Sequence, residues 1–144
     1  MDASTSVTLQ LVYIGKAANL SNRIGGRTRS YLNRIQGLPD PDNRTNLCPA
    51  EKAVVTDGKQ LKISFAETPE QEKWESELLR LYVACHGIKP GYRNIAGDWC
   101  RGNYRLEYAP SSNLLRLQWT NFEEYGLDLI SGMTDRSGVY RVCI

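Results

Sequence analysis

The first apolar run of the chain, Leu9 to Ile14 (LQLVYI), is rich in β-branched and aromatic residues and stops at Gly15, which predicts a strand followed by a turn. Asn19 then offers a cap for a helix carrying Leu20 and Ile24 on one face. Gly25-Gly26 interrupts that spacing before Tyr31, Leu32 and Ile35 resume it. Residues 37–49 (GLPDPDNRTNLCP) have loop chemistry. A short helix is expected from Ala50 to Thr56, closed near Gly58, and Leu61 to Phe65 (LKISF) alternates like a strand with one buried face. In Thr68-Pro69-Glu70-Gln71 a Thr N-cap, a Pro at the first helical position and a Gln three after the cap predict a helix start. The apolar stripe of that helix is Trp74, Leu78, Leu81, Tyr82 and Cys85, and Gly87 can end it. Loop character follows Lys89-Pro90-Gly91 to about Asn103. Tyr104 to Tyr108 and Leu114 to Trp119 read as strands, Asn121 to Ile130 as a short helix, and Gly138 to Ile144 (GVYRVCI) as a last strand. The pattern predicts an α+β domain: a small, mainly antiparallel sheet flanked by helices.

With 144 residues the chain is sized for one domain, 1–144, with one core and one site. Its hydrophobic (41%) and charged (24%) fractions are those of a folding chain and exclude a disordered or collagenous one. No stretch reaches the ~20 apolar residues of a membrane span, and the start to Thr8 is polar, so the expectation is an intracellular protein, cytoplasmic or with nucleic acid, without a membrane partner. Cys48, Cys85, Cys100 and Cys143 include no CxxC pair, and reduced, buried or idle thiols are the default reading. A zinc set of Cys48, Cys85-His86 and Cys100 lacks the paired spacing such sites show.

Charge changes the picture once it is divided along the chain. Between Ala3 and Pro39 stand Lys16, Arg23, Arg27, Arg29 and Arg34 with no acid, leaving 13 basic against 16 acidic residues elsewhere. A basic segment in a nearly neutral chain suits phosphates, although a solvated face would look the same.

Residues 13–23 (YIGKAANLSNR) provide the decisive motif, followed by Glu75 in WESELL and Asn94 in KPGYRN. They resemble the GIY-YIG nuclease family, with its Tyr-Ile/Val-Gly strand end, an Arg ten residues after its Tyr, a Glu on a later helix and an Asn soon after a Pro. The family's opening Gly-Ile-Tyr strand has no counterpart ahead of Leu11, but Gly138-Val139-Tyr140 resembles it. Joining Ile144 to Asp2 would give an uninterrupted hairpin, so the chain looks circularly permuted. A strand-swapped dimer would use the same sequence, leaving monomer and dimer both open. The resemblance covers 9–95 and 137–144, and 96–136 is left as a peripheral or substrate-selecting segment.

The resemblance implies a DNA endonuclease that hydrolyses phosphodiesters with Mg2+ or Mn2+. The residue types agree with that chemistry. Glu75 is a hard oxygen donor suited to a cation that keeps most of its waters. Glu72 and Glu77 are alternatives on the same helix. Arg23 offers a bidentate fork to phosphate oxygens. Lys16 would ease formation of a phenolate if it met Tyr13, the candidate general base, with Tyr140 positioning phosphate or water; the two tyrosines are interchangeable at this level. Gly15, Arg27, Arg29 and Asn94 are expected to contact substrate. Restriction, repair and mobile-element roles all fit. The alternative is a nucleic-acid-binding module that does not cut.

Overall fold

The computed structural model describes residues 10–39, 47–96 and 117–144. Its elements are β1 (Leu11–Ala17), α1 (Leu20–Ile35), α2 (Pro49–Thr56), β2 (Lys62–Glu67), α3 (Gln71–His86), β3 (Gly91–Tyr92), β4 (Ile95–Ala96), β5 (Glu123–Glu124), α4 (Leu127–Ser131) and β6 (Gly138–Cys143). The fold is α+β with a four-stranded antiparallel sheet in the order β1-β6-β2-β5 and a separate β3–β4 hairpin.

The last strand lies antiparallel beside the first, as hairpin continuity predicts, with Gly15 opposite Tyr140 and Ala17 opposite Gly138. It pairs equally with β2, Phe65 standing opposite Tyr140 and Ile63 opposite Val142. Being central, β6 is not the readily frayed edge that a terminal segment suggests. Val139, Tyr140, Val142 and Cys143 are all fully buried. Gly138 is required because a Cβ there would meet the Ala66 carbonyl and sit 2.6 Å from Leu20 Cδ1. Within this chain the Ile144 amide donates to the Gln10 carbonyl at 3.1 Å, so the final strand completes its own sheet. Asp2 lies outside the described residues.

Helices cover both faces. Val12, Leu20, Ile24, Tyr31, Val54, Leu61, Ile63, Tyr125, Leu129, Tyr140 and Val142 form the main core with α1, α2 and α4, while Ile14–Leu79 and Val139–Trp74 pack α3 on the other side. Asn19 caps α1 as expected, its side chain accepting from the Asn22 amide at 3.0 Å. The helix runs straight through Gly25-Gly26, because the anchoring of Leu20, Ile24 and Tyr31 in the core outweighs the weak propensity of glycine.

Three expectations shift. Helix α3 begins at Gln71, because Thr68 Oγ1 takes the Glu70 amide in a preceding turn. Its buried face is Trp74 and Leu79, joined by the Glu77–Arg80 ion pair at 3.1 Å, whereas Cys85 is exposed. The expected helix 121–130 is confined to Leu127–Ser131, since Glu123–Glu124 pairs with β2. The strand expected at 104–108 lies outside the described residues, as does 114–116, and 117–119 is irregular. Among the described residues no helix is long and apolar enough to cross a membrane.

Candidate active site

The site straddles edge strand β1. Alternation sends Tyr13, Gly15 and Ala17 toward α1 and Ile14 and Lys16 toward α3, with a register irregularity between Leu11 and Tyr13 where the strand enters the site. Gly15 lies directly against two rings: a Cβ on it would stand 2.6 Å from Tyr13 Cε2 and 2.6 Å from both Cζ and Oη of Tyr140. The glycine is therefore a floor for the tyrosine pair, whose ring centroids are 6.0 Å apart. Its backbone, and not a side chain, is what it can present to a substrate.

Glu75 projects from the first half of α3 with its carboxylate 13% exposed, and Lys16 Nζ stands 3.9 Å from Glu75 Oε1 and 3.8 Å from Glu72 Oε1. Burial raises the Glu75 carboxyl above its ordinary range, and Lys16 and then Arg23 pull it back only in part. This is a carboxylate whose charge is under-compensated where a positive group belongs, and it fits a divalent cation needing one hard protein ligand. Among the described residues no three His, Cys, Asp or Glu side chains cluster as a metal group. Cys48 is buried, Cys85 exposed, and Cys100 lies outside the described residues.

The structure thus gathers Tyr13, Tyr140, Lys16, Arg23 and Glu75 from four separate elements, but corrects several roles. Lys16 serves Glu72 and Glu75 and not the Tyr13 phenol. Tyr13 is pushed up, first by burial and then by Tyr140, with Arg27 opposing, so at neutral pH it is a phenol and not the phenolate a free base would need. Tyr140 is fully buried, which excludes it as a water or phosphate ligand and makes it the packing partner of Tyr13. The two tyrosines are therefore not interchangeable.

Arg27 is also corrected. It is buried, not a surface contact for substrate, and pairs with the wholly buried Glu51. Its guanidinium lies 4.8 Å from the Tyr13 ring centroid and 5.2 Å from that of Tyr140. Glu51 further accepts from the Cys48 amide at 3.2 Å and from the Tyr125 hydroxyl at 3.3 Å, so α1, α2 and the segment before α4 meet at one buried charge pair. Removing one partner of such a pair typically costs ~3–5 kcal/mol, because the other charge is stranded. Sequence spacing did not reveal Glu51 or Tyr125; their one visible sign was the acid three residues after Cys48, at the head of α2.

Arg23 and Arg29 are exposed on α1 and remain open to a polyanion. Asn94 sits elsewhere, at the tip of the β3–β4 hairpin, where Arg93 and Asn94 both have positive φ (49° and 68°), as a primed two-residue turn demands. It lines a cavity of about 600 Å³ with Gln10, Tyr82, Tyr92 and Arg93.

The network has a pH signature. Burial pushes the Tyr125 phenol up to about 12 from an ordinary 10, against the lowering effect of Arg27. The unfolded chain therefore loses this proton first, so the stabilisation is whole below pH ~10 and disappears as pH rises toward about 12, on the order of 2 kcal/mol. Thermal melts followed by circular dichroism should show Tm falling across that window, and Tyr125→Phe should make the fall shallower, with Tyr13, also pushed up by burial, supplying the rest. A slope unchanged by that substitution would assign it to other groups.

Comparison with family models, curated proteins and solved structures finds no match.

Proposed function

We propose that this chain is a divalent-metal-dependent DNA endonuclease of the kind its Tyr-Ile-Gly, Arg, Glu and Asn pattern resembles, with the opening strand displaced to Gly138–Cys143. The observation that carries the reading is the convergence of Tyr13, Lys16, Arg23 and Glu75 on edge strand β1, from β1, α1 and α3. Chance strand and helix patterns have no reason to deliver these particular groups to one place.

Glu75 would hold Mg2+ or Mn2+, and the bound cation would supply charge for the phosphate and acidify water. Arg23 would fork onto nonbridging oxygens of the phosphate, and Lys16 would add a point charge beside it. The Tyr13 hydroxyl, held protonated by burial, would orient the attacking water through a hydrogen bond and would not take its proton, which would pass to solvent. Arg29 and the exposed start of α1 attract the DNA backbone, a contribution that salt weakens.

The test is incubation with supercoiled, branched and single-stranded DNA, with Mg2+ or with EDTA. Nicking or cutting in Mg2+ alone is the expected result; binding without cutting in every condition overturns the enzyme reading in favour of a non-cleaving module. In the same assay Arg23→Lys should lose more than ~10-fold in rate although its charge is kept, because Lys has no planar fork. Wild-type rates would make Arg23 part of the general basic surface.

A further inference from the structure

Arg27 and Glu51 form an ion pair that the fold has closed off from water, Arg27 almost and Glu51 wholly buried. Desolvating two charges offsets most of their attraction, so such a pair adds little stability over apolar residues of the same size. Its presence in this core calls for another reason, and the groups around the guanidinium supply one. Arg27 is tied at two edges: Nη2 donates to Glu51, and Nε donates to the Tyr125 hydroxyl at 3.4 Å. Glu51 is itself held by the Cys48 amide at the head of α2. A planar group fixed at two edges has little freedom to turn, so its place is set jointly by α1, α2 and the segment before α4.

That fixed cation lies over both rings of the tyrosine pair, 4.8 Å from the Tyr13 centroid and 5.2 Å from that of Tyr140. Gly15 stands against the same two rings, so close that a Cβ on it would meet Tyr13 Cε2 and the Tyr140 hydroxyl at 2.6 Å. Tyr140, tilted by 37° at 6.0 Å, supplies the third contact. Of the three tyrosines beside Arg27, Tyr125 and Tyr140 are buried and Tyr13 alone is partly exposed, which makes it the one a substrate can meet. No hydrogen bond to a described residue aims its hydroxyl. The direction of that hydroxyl is therefore left to the ring contacts, and the only polar member among them is Arg27.

We propose that Arg27 is a positioning residue for Tyr13: held by Glu51 and Tyr125, its guanidinium fixes the Tyr13 ring against Gly15 so that the hydroxyl meets the attacking water. This rests on the nuclease reading for its reaction and adds to it a buried group that touches neither metal nor DNA. The leverage is geometric, since a misplacement of about 1 Å at a reacting group can cost ~10²-fold in rate. Lys at this position would keep the charge but not the plane tied at two edges.

Arg27→Met alone strands the Glu51 charge and should lose stability, so the decisive protein combines Arg27→Met with Glu51→Gln, whose amide can still accept from Cys48 and donate to Tyr125. Its Tm should lie within ~5 °C of wild type. In Mg2+ its kcat for DNA cleavage should fall at least ~10-fold while KM changes less than ~3-fold. Arg27→Lys, which keeps a cation for Glu51, should lose kcat in the same way. Placed on Tyr13→Phe, which has no hydroxyl left to aim, the double change should cost less than a further ~2-fold. Wild-type kcat in either folded variant, or the same loss with and without the Tyr13 hydroxyl, would overturn the assignment. The ring is also followed without cleavage, by NMR of protein carrying ring-labelled tyrosine, the Tyr13 signals being those missing from Tyr13→Phe. In the double variant they should move toward those of a free tyrosine while the Tyr82 and Tyr92 signals stay. A wild type that does not cut would remove the nuclease reading, and these signals would then decide alone: unmoved, they overturn the hold of Arg27 on Tyr13; moved, they uphold it.

Discussion

Glu75→Gln is expected to reduce metal-dependent DNA cleavage by ~10³-fold or more while Tm stays within a few degrees of wild type. The amide keeps the volume of the carboxylate, so packing against α3 and β1 is unchanged. What is lost is the partly buried negative oxygen donor that faces Lys16. The stability cost should be small for two reasons. Burial already disfavours the Glu75 charge, and its pairing with the half-exposed Lys16 at 3.9 Å is long enough to belong with the weak surface pairs worth ~0–1 kcal/mol. Glu72→Gln is the control on the same helix: its carboxylate is 79% exposed and should matter less than ~5-fold. Gel assays of supercoiled DNA in Mg2+, paired with thermal melts, decide it. Undiminished cutting by Glu75→Gln, or an equal loss in Glu72→Gln, would remove Glu75 from the centre of the mechanism.

Removing residues 138–144 should leave no cooperatively folded protein. The loss takes out the strand between β1 and β2 together with the fully buried Val139, Tyr140, Val142 and Cys143. At ~1.5–3 kcal/mol for each large apolar side chain, that burial alone is comparable with the ~5–15 kcal/mol by which domains are stable. A rearranged chain that starts at Met133, joins Ile144 directly to Met1 and ends at Gly132 keeps the same strand and should restore the fold, with Tm within ~5 °C and metal-dependent cleavage retained. The Ile144–Gln10 hydrogen bond already places the two ends of that hairpin side by side. Circular dichroism melts of the truncated and rearranged chains check both halves. A truncated chain that melts cooperatively would make β6 dispensable, and an unfolded rearrangement would overturn its reading as a displaced opening strand.

Local signals were legible wherever the chemistry is local. Asn19 as a cap, Gly87 as a left-handed helix end and the strand character of LVYI and GVYRV all follow from neighbours a few residues apart. The start of α3 was misplaced by two residues because Thr68 spends its hydroxyl on a turn, and the sequence pattern cannot tell a turn from a cap when the same residue serves either. The stripe to Cys85 was overextended because the helix leaves the sheet before its last turn.

By itself the sequence determined the α+β class, the order of the main elements and the candidate residues Tyr13, Lys16, Arg23 and Glu75, since periodicity and motif spacing are properties of the chain. Only the tertiary structure decided what each of them touches. It made Gly138–Cys143 a central strand, turned Arg27 inward onto Glu51 and beneath the two tyrosine rings, sealed Tyr140 and gave Lys16 to the carboxylates of α3. Burial and pairing across tens of residues depend on which surfaces meet. Partners that stand 24 residues apart, as Arg27 and Glu51 do, leave no periodic trace in the chain that joins them.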